Sequence, residues 1–203
     1  MSTAAVVKKC VGWLDTNFRA NISKTFNKTP FELKHIYAIA FKESSELWPN
    51  LIGKYDADEI LSFCVLDGSG DVSGTKRSPF PKNRAAFEGK YGSTFTEMLI
   101  AEGNKARKVR GLSPTKTILY KAYGIFQYDL QYVVNDRAFF EKKQWYNLDD
   151  CLARLKKELL SKYASTHDVR KAIKAYNGSG ARAEDYVNDV FEFIHSMDEL
   201  GLP

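Results

Sequence analysis

The sequence predicts a mainly helical protein, and three observations support this prediction. Apolar residues recur at helical spacing along much of the chain, for example at Val187, Val190 and Ile194. Capping residues precede several of these segments, and helix-stopping residues follow them. With 203 residues, 44% of them apolar and 13% aromatic, the chain can bury a sizeable core. We therefore expect one domain over residues 1–203, with a long, partly irregular insertion at about 50–121.

Helical periodicity predicts six helices. The first is expected to end before a turn near Asn21. Thr29 and Glu32 form a capping box for the second helix, and Thr94 and Glu97 form another such pair before the third. The six segments span about 6–18, 29–48, 95–107, 147–163, 168–176 and 182–200.

Residues 50–93 have a different composition. Glycines recur there, residues 67–71 combine Asp, Gly and Ser, and Pro79 and Pro81 lie close together. These residue types favour turns and interrupt helices, so we expect a mostly irregular stretch with at most a short hairpin or helix. A loop of this length is usually functional or forms an inserted subregion.

The cysteines and histidines give no indication of a metal site. Cys10, Cys64 and Cys151 are widely spaced, which provides neither a zinc-binding pair nor a disulfide framework. The three histidines are equally scattered. We therefore expect no metal and no cofactor.

The charge and hydropathy restrict the choice of partners only weakly. The net charge of +5 suits an anionic polymer such as bacterial cell wall or nucleic acid, but proteins with neutral partners share it. No apolar run approaches the length of a transmembrane segment. The segment Met1–Lys9 lacks the apolar core of a secretory signal, so we expect synthesis in the cytoplasm without a signal peptide.

Glu43 is the most informative single residue. It falls on the apolar stripe of the second predicted helix, between Ile39, Ala40 and Leu47. An ionised carboxylate is costly in apolar surroundings, so such a group tends to keep its proton to higher pH. A general acid needs this state near neutral pH. The alternative is a core glutamate satisfied by a buried cation or a backbone amide.

Three short motifs follow Glu43-Ser44 along the chain. They are Gly124–Gln127 after Tyr123, then Tyr176-Asn177, then Tyr186. Each has a simpler explanation on its own: Gly124 suits a turn, Tyr176 suits a core, and Asn177 before a glycine suits the end of a helix.

Taken in order, the motifs resemble those of the lysozyme-like lytic transglycosylases and goose-type lysozymes. In that family the pattern is Glu-Ser, Gly-Leu-Met-Gln, Ala-Tyr-Asn and a later Tyr. Here the match runs from about residue 35 to residue 190, and Asp129 adds to it because an acidic residue often follows the glutamine at this offset. One departure is that residues 49–121 separate the first two motifs, where the family usually has a short gap.

The resemblance implies a lysozyme-like helical domain that cleaves the β-1,4 bonds between N-acetylmuramic acid and N-acetylglucosamine in peptidoglycan. Glu43 would be the general acid and base. Gln127 and Asn177 would hydrogen-bond sugar hydroxyl or acetamido groups, and Ser44 would orient the carboxylate. The substrate-binding residues implied in this way are Ser44, Tyr123, Gly124, Gln127, Asp129, Tyr176, Asn177 and Tyr186.

The sequence leaves the outcome of the reaction open. A lysozyme that inverts configuration needs a second carboxylate to activate water, whereas a lytic transglycosylase uses the same glutamate to form an anhydro sugar. The candidates for a second carboxylate are Asp56, Asp58, Asp67, Asp71 and Asp129, and spacing does not choose among them.

Two other functions compete with this prediction. One is a chitin-cleaving glycosidase. The other is a non-catalytic helical module that binds glycan or nucleic acid, for which the basic cluster Lys105–Arg110 is the best argument. That cluster is also typical of a solvated helix end, so we expect peptidoglycan or a related N-acetylhexosamine glycan as the partner and no nucleic acid. The protein would act on the cell wall after release or delivery, and a monomer is compatible with this role.

Overall fold

A computed structural model of the chain describes residues 3–68 and 84–203, with the side chains of residues 67 and 68 excepted. Helices dominate these residues, which confirms the predicted mainly helical fold. The α-helices are α1 (Ala4–Phe26), α2 (Leu33–Ser44), α3 (Ala57–Phe63), α4 (Arg84–Tyr91), α5 (Ser93–Val109), α6 (Arg137–Glu141), α7 (Leu148–Thr166), α8 (Val169–Asn177) and α9 (Ala181–Glu199). The strands are β1 (Val65–Gly68), β2 (Tyr120–Tyr123) and β3 (Tyr128–Asp129).

The chain divides into two compact units. Unit 1 comprises the described part of Met1–Ile52 together with Leu148–Pro203, and unit 2 comprises Gly53–Asn147. Unit 1 therefore contains α1, α2, α7, α8 and α9. Residues 50–121, expected as an insertion, fall almost entirely in unit 2, which also includes residues 122–147.

The first helix of unit 1 is longer than predicted. The expected turn near Asn21 is wrong, because α1 continues through this residue to Phe26. Ile22 and Phe26 extend the buried stripe of α1 by further turns, so burial favours the helix over the turn. The Asn21 side chain donates a hydrogen bond to Asp149 Oδ1 at 2.8 Å.

The second helix begins later than predicted. Thr29 does not cap it, because the Thr29 hydroxyl donates to the Phe26 carbonyl at 2.8 Å and so closes the end of α1. Glu32 is the N-cap instead, and its backbone N–H donates to His35 Nδ1 at 2.9 Å. Burial lowers the pKa of His35, which keeps Nδ1 available as an acceptor. The capping box is therefore present, but three residues further along the chain.

Helices α5 and α8 differ in whether a side chain caps their first turn. Thr94 does not cap α5, which follows Gly92 at a φ of 91°, and the Thr96 hydroxyl donates to the Gly92 carbonyl at 2.7 Å. Asp168 does cap α8, because its carboxylate accepts from the Lys171 N–H at 2.7 Å.

Unit 2 is built around a small antiparallel sheet in the order β1-β2-β3. Val65 pairs with Tyr123, and Tyr123 pairs with Tyr128. Helix α5 carries Gly103 against the ring of Tyr120, where an added Cβ would lie 2.5 Å from Cδ2. Only glycine leaves room for this close approach.

Residues 50–93 contain more regular structure than expected, since α3, β1 and α4 all lie there. Residues 69–83 of this stretch are outside the described residues. No helix in the part of the chain that the structure describes is both long and apolar enough to cross a membrane. The three cysteine thiols are buried.

Candidate active site

Glu43 lies in the last turn of α2, half-buried at the surface of unit 1. The hydroxyl of Tyr186, in the second turn of α9, donates a hydrogen bond to Glu43 Oε1 at 2.7 Å. The two residues are 143 positions apart in the sequence. The packing of α2 against α9 thus brings together the first and last of the predicted motif residues.

The environment of Tyr186 keeps its phenol protonated. The residue is only 5% exposed. Burial raises its pKa well above the ordinary value, and the charge of the Glu43 carboxylate and the nearby Tyr176 raise it further. At neutral pH Tyr186 is therefore a neutral hydrogen-bond donor to Glu43.

The predicted Tyr-Asn pair lies next to this contact. The half-buried ring of Tyr176 is 6.5 Å from that of Tyr186, measured between centroids, at an interplanar angle of 46°. Asn177 is the last residue of α8 and is exposed, and its side chain has no hydrogen-bond partner among the described residues. Gly178 follows with a φ of 133°, which confirms that this position ends the helix.

Two ion pairs link α9 to the neighbouring helices α2 and α8. Lys42, adjacent to Glu43 on α2, bonds to Asp189 of α9 at 2.5 Å. Lys174 of α8 pairs with Glu184 of α9. The sequence patterns do not predict either ion pair, because the two residues of each pair lie on different helices and no periodicity relates them.

Ser44 lies beside Glu43 in the chain but is fully buried. Its hydroxyl donates to the Ala40 carbonyl one turn back, at 3.3 Å. The predicted role of Ser44 in orienting the Glu43 carboxylate stays a prediction.

The Gly-Ile-Phe-Gln motif belongs to unit 2, where it connects β2 to β3. The predicted turn is confirmed: the Gln127 N–H donates to the Gly124 carbonyl at 3.0 Å, and both residues have positive φ, 82° at Gly124 and 53° at Gln127. A left-handed glutamine is uncommon and somewhat strained. Its side-chain Nε2 offsets part of this cost by donating to the same carbonyl at 2.7 Å.

Tyr123 and Asp129 flank this turn and have structural contacts. Tyr123 is completely buried, and its ring packs edge-on against Phe140 and Trp145 at centroid distances of 5.4 and 4.9 Å. The ring thus contacts the aromatic core of unit 2 and no open surface. Asp129 caps the short 3-10 helix Leu130–Val134 by accepting from the Gln131 N–H at 2.8 Å.

The nine predicted site residues are therefore divided between the two units. Glu43, Ser44, Tyr176, Asn177 and Tyr186 lie in unit 1, and Tyr123, Gly124, Gln127 and Asp129 lie in unit 2. Within unit 1, the structure brings Glu43, Tyr186 and Tyr176 into one contiguous group.

The candidates for a second carboxylate are not singled out by the structure. Asp56 caps α3 by accepting from the Glu59 N–H at 2.8 Å, and Asp58 lies exposed in the first turn of the same helix. Asp71 and the side chain of Asp67 lie outside the described residues.

The basic cluster at Lys105–Arg110 makes several contacts within unit 2. Lys105 Nζ donates to Glu102 Oε1 at 2.9 Å and to the Tyr146 hydroxyl at 3.0 Å. Arg107 donates to the Ser113 carbonyl at 2.6 Å. At least two of its cations thus serve the structure of unit 2.

Comparisons with known proteins give no match: no family model, curated protein or solved structure is similar enough to this chain to indicate its family. Among the described residues, no group of three or more His, Cys, Asp or Glu side chains is arranged to hold a metal ion.

Proposed function

We propose that this protein cleaves the β-1,4 glycosidic bonds of bacterial peptidoglycan between N-acetylmuramic acid and N-acetylglucosamine, with Glu43 as general acid and base. One observation carries the proposal: the Tyr186 hydroxyl bonds to Glu43 Oε1 at 2.7 Å, and the Tyr176 ring lies beside Tyr186. Three residues from separate motifs of one ordered pattern thus meet on the surface of unit 1.

The group has two properties that suit a general acid and base, namely access from solvent and a fixed position. The departing glycosidic oxygen must receive a proton while positive charge develops on the sugar. A half-buried carboxylate is accessible from solvent and is held by the protein at the same time. Tyr186 holds the carboxylate without competing as an acid, because the raised pKa of its phenol keeps that proton in place. After the bond breaks, Glu43 takes a proton from water or from the muramyl 6-hydroxyl.

The neighbouring residues suit a sugar ligand. The Tyr176 ring offers an apolar face, and sugar rings present apolar faces that aromatic side chains cover. The exposed amide of Asn177 has both a donor and an acceptor for hydroxyl or acetamido groups. The roles of Gln127, Gly124, Tyr123 and Asp129 stay predictions from the motif resemblance.

The alternative of a nucleic-acid-binding module has less support. The basic cluster Lys105–Arg110 would have to bind the nucleic acid, but Lys105 and Arg107 are engaged in contacts within unit 2. Chitin cleavage would use the same acid and stays the second candidate substrate.

The test of this proposal is the clearing of purified peptidoglycan sacculi. We expect Glu43→Gln to reduce the clearing rate by about 10²–10⁴-fold, the usual contribution of general acid–base catalysis. Glu46→Gln is the matched control, since Glu46 is exposed just beyond the end of α2 and has no described partner. This variant should retain the wild-type rate, and circular dichroism should show the same helicity in all three proteins.

Mass spectrometry of the released muropeptides identifies the reaction. An anhydro product is one water lighter than a hydrolysed one, so the two mechanisms differ in mass. Chitin oligosaccharides tested in parallel decide the substrate. Equal clearing by wild type and Glu43→Gln, or a folded wild type that cleaves neither substrate, would overturn the proposal.

A further inference from the structure

A cleft lies on unit 1, between α2 and α9. Its volume is about 290 Å³, and its apolar wall includes Phe41 and Phe193, whose rings stack at a centroid distance of 4.0 Å and an angle of 16°. Phe41 and Ser45 both line it, and each is two residues from Glu43, which corresponds to about 160° around the helix. Glu43 itself is not among the residues that line the cleft.

The polar lining of the cleft already binds one ammonium group. Asp189 accepts from Lys42 Nζ at 2.5 Å, and both residues line the cleft. Glu192 lies about one turn further along α9, also in the lining. It is exposed and has no ion-pair partner among the described residues. The three side chains leave the cleft with one net negative charge, on a chain whose total charge is +5.

Two hydroxyl groups in the lining add possible acceptors. The Ser196 hydroxyl donates to the Glu192 carbonyl at 3.0 Å, which leaves its oxygen able to accept. The Ser45 hydroxyl has no partner among the described residues and lines the same cleft. A primary ammonium has three N–H donors. The two hydroxyls and the Glu192 carboxylate provide one acceptor group for each of them.

We propose that this cleft is a binding site for a small ligand that carries a primary ammonium on an aliphatic chain, in the manner of a lysine side chain. The ammonium binds Glu192 and the two serine hydroxyls, and the aliphatic part covers the Phe41 and Phe193 rings. A volume of about 290 Å³ corresponds to about ten water molecules, which is enough for such a chain. The proposal does not depend on the function proposed for Glu43, because Glu43, Tyr176 and Tyr186 do not line the cleft.

Two probes that differ only at the end of the side chain test this site by protein NMR. Nα-acetyl-lysine methylamide carries the ammonium, and Nα-acetyl-norleucine methylamide lacks it. We expect the lysine probe to shift the amide signals of the lining residues of α2 and α9 with a millimolar Kd. The norleucine probe should bind at least about fivefold more weakly.

The variants separate the carboxylate from general charge effects. Glu192→Gln should weaken the lysine probe about three- to fivefold, the range of an exposed ion pair. Glu158→Gln removes the same charge from α7 and should leave the Kd unchanged. Because Glu192 is exposed, its replacement should not alter the fold, which the unperturbed spectrum of the free variant checks.

Several results would overturn the inference. These are equal binding of the two probes, equal binding by wild type and Glu192→Gln, and shifts that do not cluster in the lining. Saturable binding of N,N′-diacetylchitobiose in this cleft, without binding of the lysine probe, would assign it to sugars and would also overturn the inference. Wall-clearing activity plays no part in this test, so its outcome is distinct from that for Glu43.

Discussion

Glu43 in unit 1 and Glu102 in unit 2 are both helical carboxylates that accept a hydrogen bond from a tyrosine hydroxyl. Tyr186 donates to Glu43, and Tyr146 donates to Glu102. Their exposure differs: Glu43 is half-buried, whereas Glu102 is only 2% exposed. A tyrosine contact therefore does not distinguish a candidate catalytic carboxylate from a structural one, but access from solvent does.

The surroundings of Glu102 explain how a carboxylate can be buried. Burial raises its pKa, but hydrogen bonds from Lys143, Tyr146 and Lys105 together outweigh that effect, so the pKa is below its usual value. Lys143 lies at 2.6 Å and Lys105 at 2.9 Å from the same oxygen. Glu102 is thus an ionised group whose donors all come from the protein, and its function is to hold α5 to the segment around residues 143–146.

Replacing Glu102 should produce the largest change in stability. We expect Glu102→Gln to lower the free energy of unfolding of unit 2 by about 2–3 kcal/mol, because the buried site loses its charge and its lysine partners. Glu43→Gln should change the stability of unit 1 by less than about 0.5 kcal/mol. With 5-fluorotryptophan, urea titrations followed by ¹⁹F NMR report each unit: Trp145 lies in unit 2, and Trp13 and Trp48 lie in unit 1.

The pH dependence provides the control for this prediction. Since the folded pKa of Glu102 is lowered, its stabilising contribution is present above the unfolded value of about 4.5 and is lost as pH falls through the folded pKa. The stability difference between wild type and Glu102→Gln should therefore shrink below pH 4.5. A difference that is constant from pH 7 to pH 3 would contradict the ionised state of Glu102.

The next largest effect concerns the packing of α5 on the sheet. Gly103→Ala should destabilise unit 2 by about 1–3 kcal/mol, because the new Cβ would clash with the buried ring of Tyr120. Gly89→Ala in α4 is the matched control, since nothing lies within 4 Å of its added Cβ. This second change should be neutral or stabilise by up to about 1 kcal/mol. The same ¹⁹F titration measures both variants.

Alkaline solution should destabilise both units. Burial raises the pKa of Cys10 to about 12 and raises the pKa values of Tyr186 and Tyr123. These groups stay protonated in the folded chain while the unfolded chain releases protons above about pH 9, so stability is lost as pH rises toward the folded pKa values. We expect the free energy of unfolding to decrease by about 1–2 kcal/mol between pH 8 and pH 10. Thermal unfolding across this range checks it, and a Tm that rises would contradict it.

The smallest expected effect is a difference in wall-clearing rate between variants at Tyr186 and Tyr146. Tyr186→Phe should lower the wall-clearing rate about tenfold, because Glu43 loses the donor that holds Oε1, a loss of about 1.4 kcal/mol. Tyr146→Phe should leave this rate unchanged in the folded protein and lower only the stability of unit 2, by about 1 kcal/mol. Equal rates for wild type and Tyr186→Phe would show that the phenol does not support catalysis.

Sequence reasoning was most successful where local patterns decide the structure. Apolar periodicity gave α7, α8 and α9 close to their observed bounds, and Asp168 was expected to begin α8 and does cap it. The prediction that Thr29 caps α2 is wrong, because a threonine can either close one helix or cap the next. Here the Thr29 hydroxyl donates to the Phe26 carbonyl and so closes α1. The strands have two to four residues, too few for a period to be visible.

Long-range contacts could not be predicted from these patterns. The resemblance selected Glu43, Tyr176 and Tyr186, but the hydrogen bond between the first and last of them depends on how α2 packs against α9. Glu102 gave no signal at all, because its partners Lys143 and Tyr146 are more than 40 positions away in the sequence. A buried ion network of this kind becomes visible only in three dimensions.

The discontinuous composition of unit 1 has a consequence for its biosynthesis. Its N-terminal part, ending at Ile52, leaves the ribosome before the whole of unit 2 and well before α7 to α9. At about 5–20 residues per second, α1 and α2 wait several seconds for the helices that cover their apolar faces. Throughout that interval the hydrogen bond between Glu43 and Tyr186 is absent, because Tyr186 has not yet been added to the chain. The contact that supports the proposed role of Glu43 is therefore expected to form only after α9 has been synthesised.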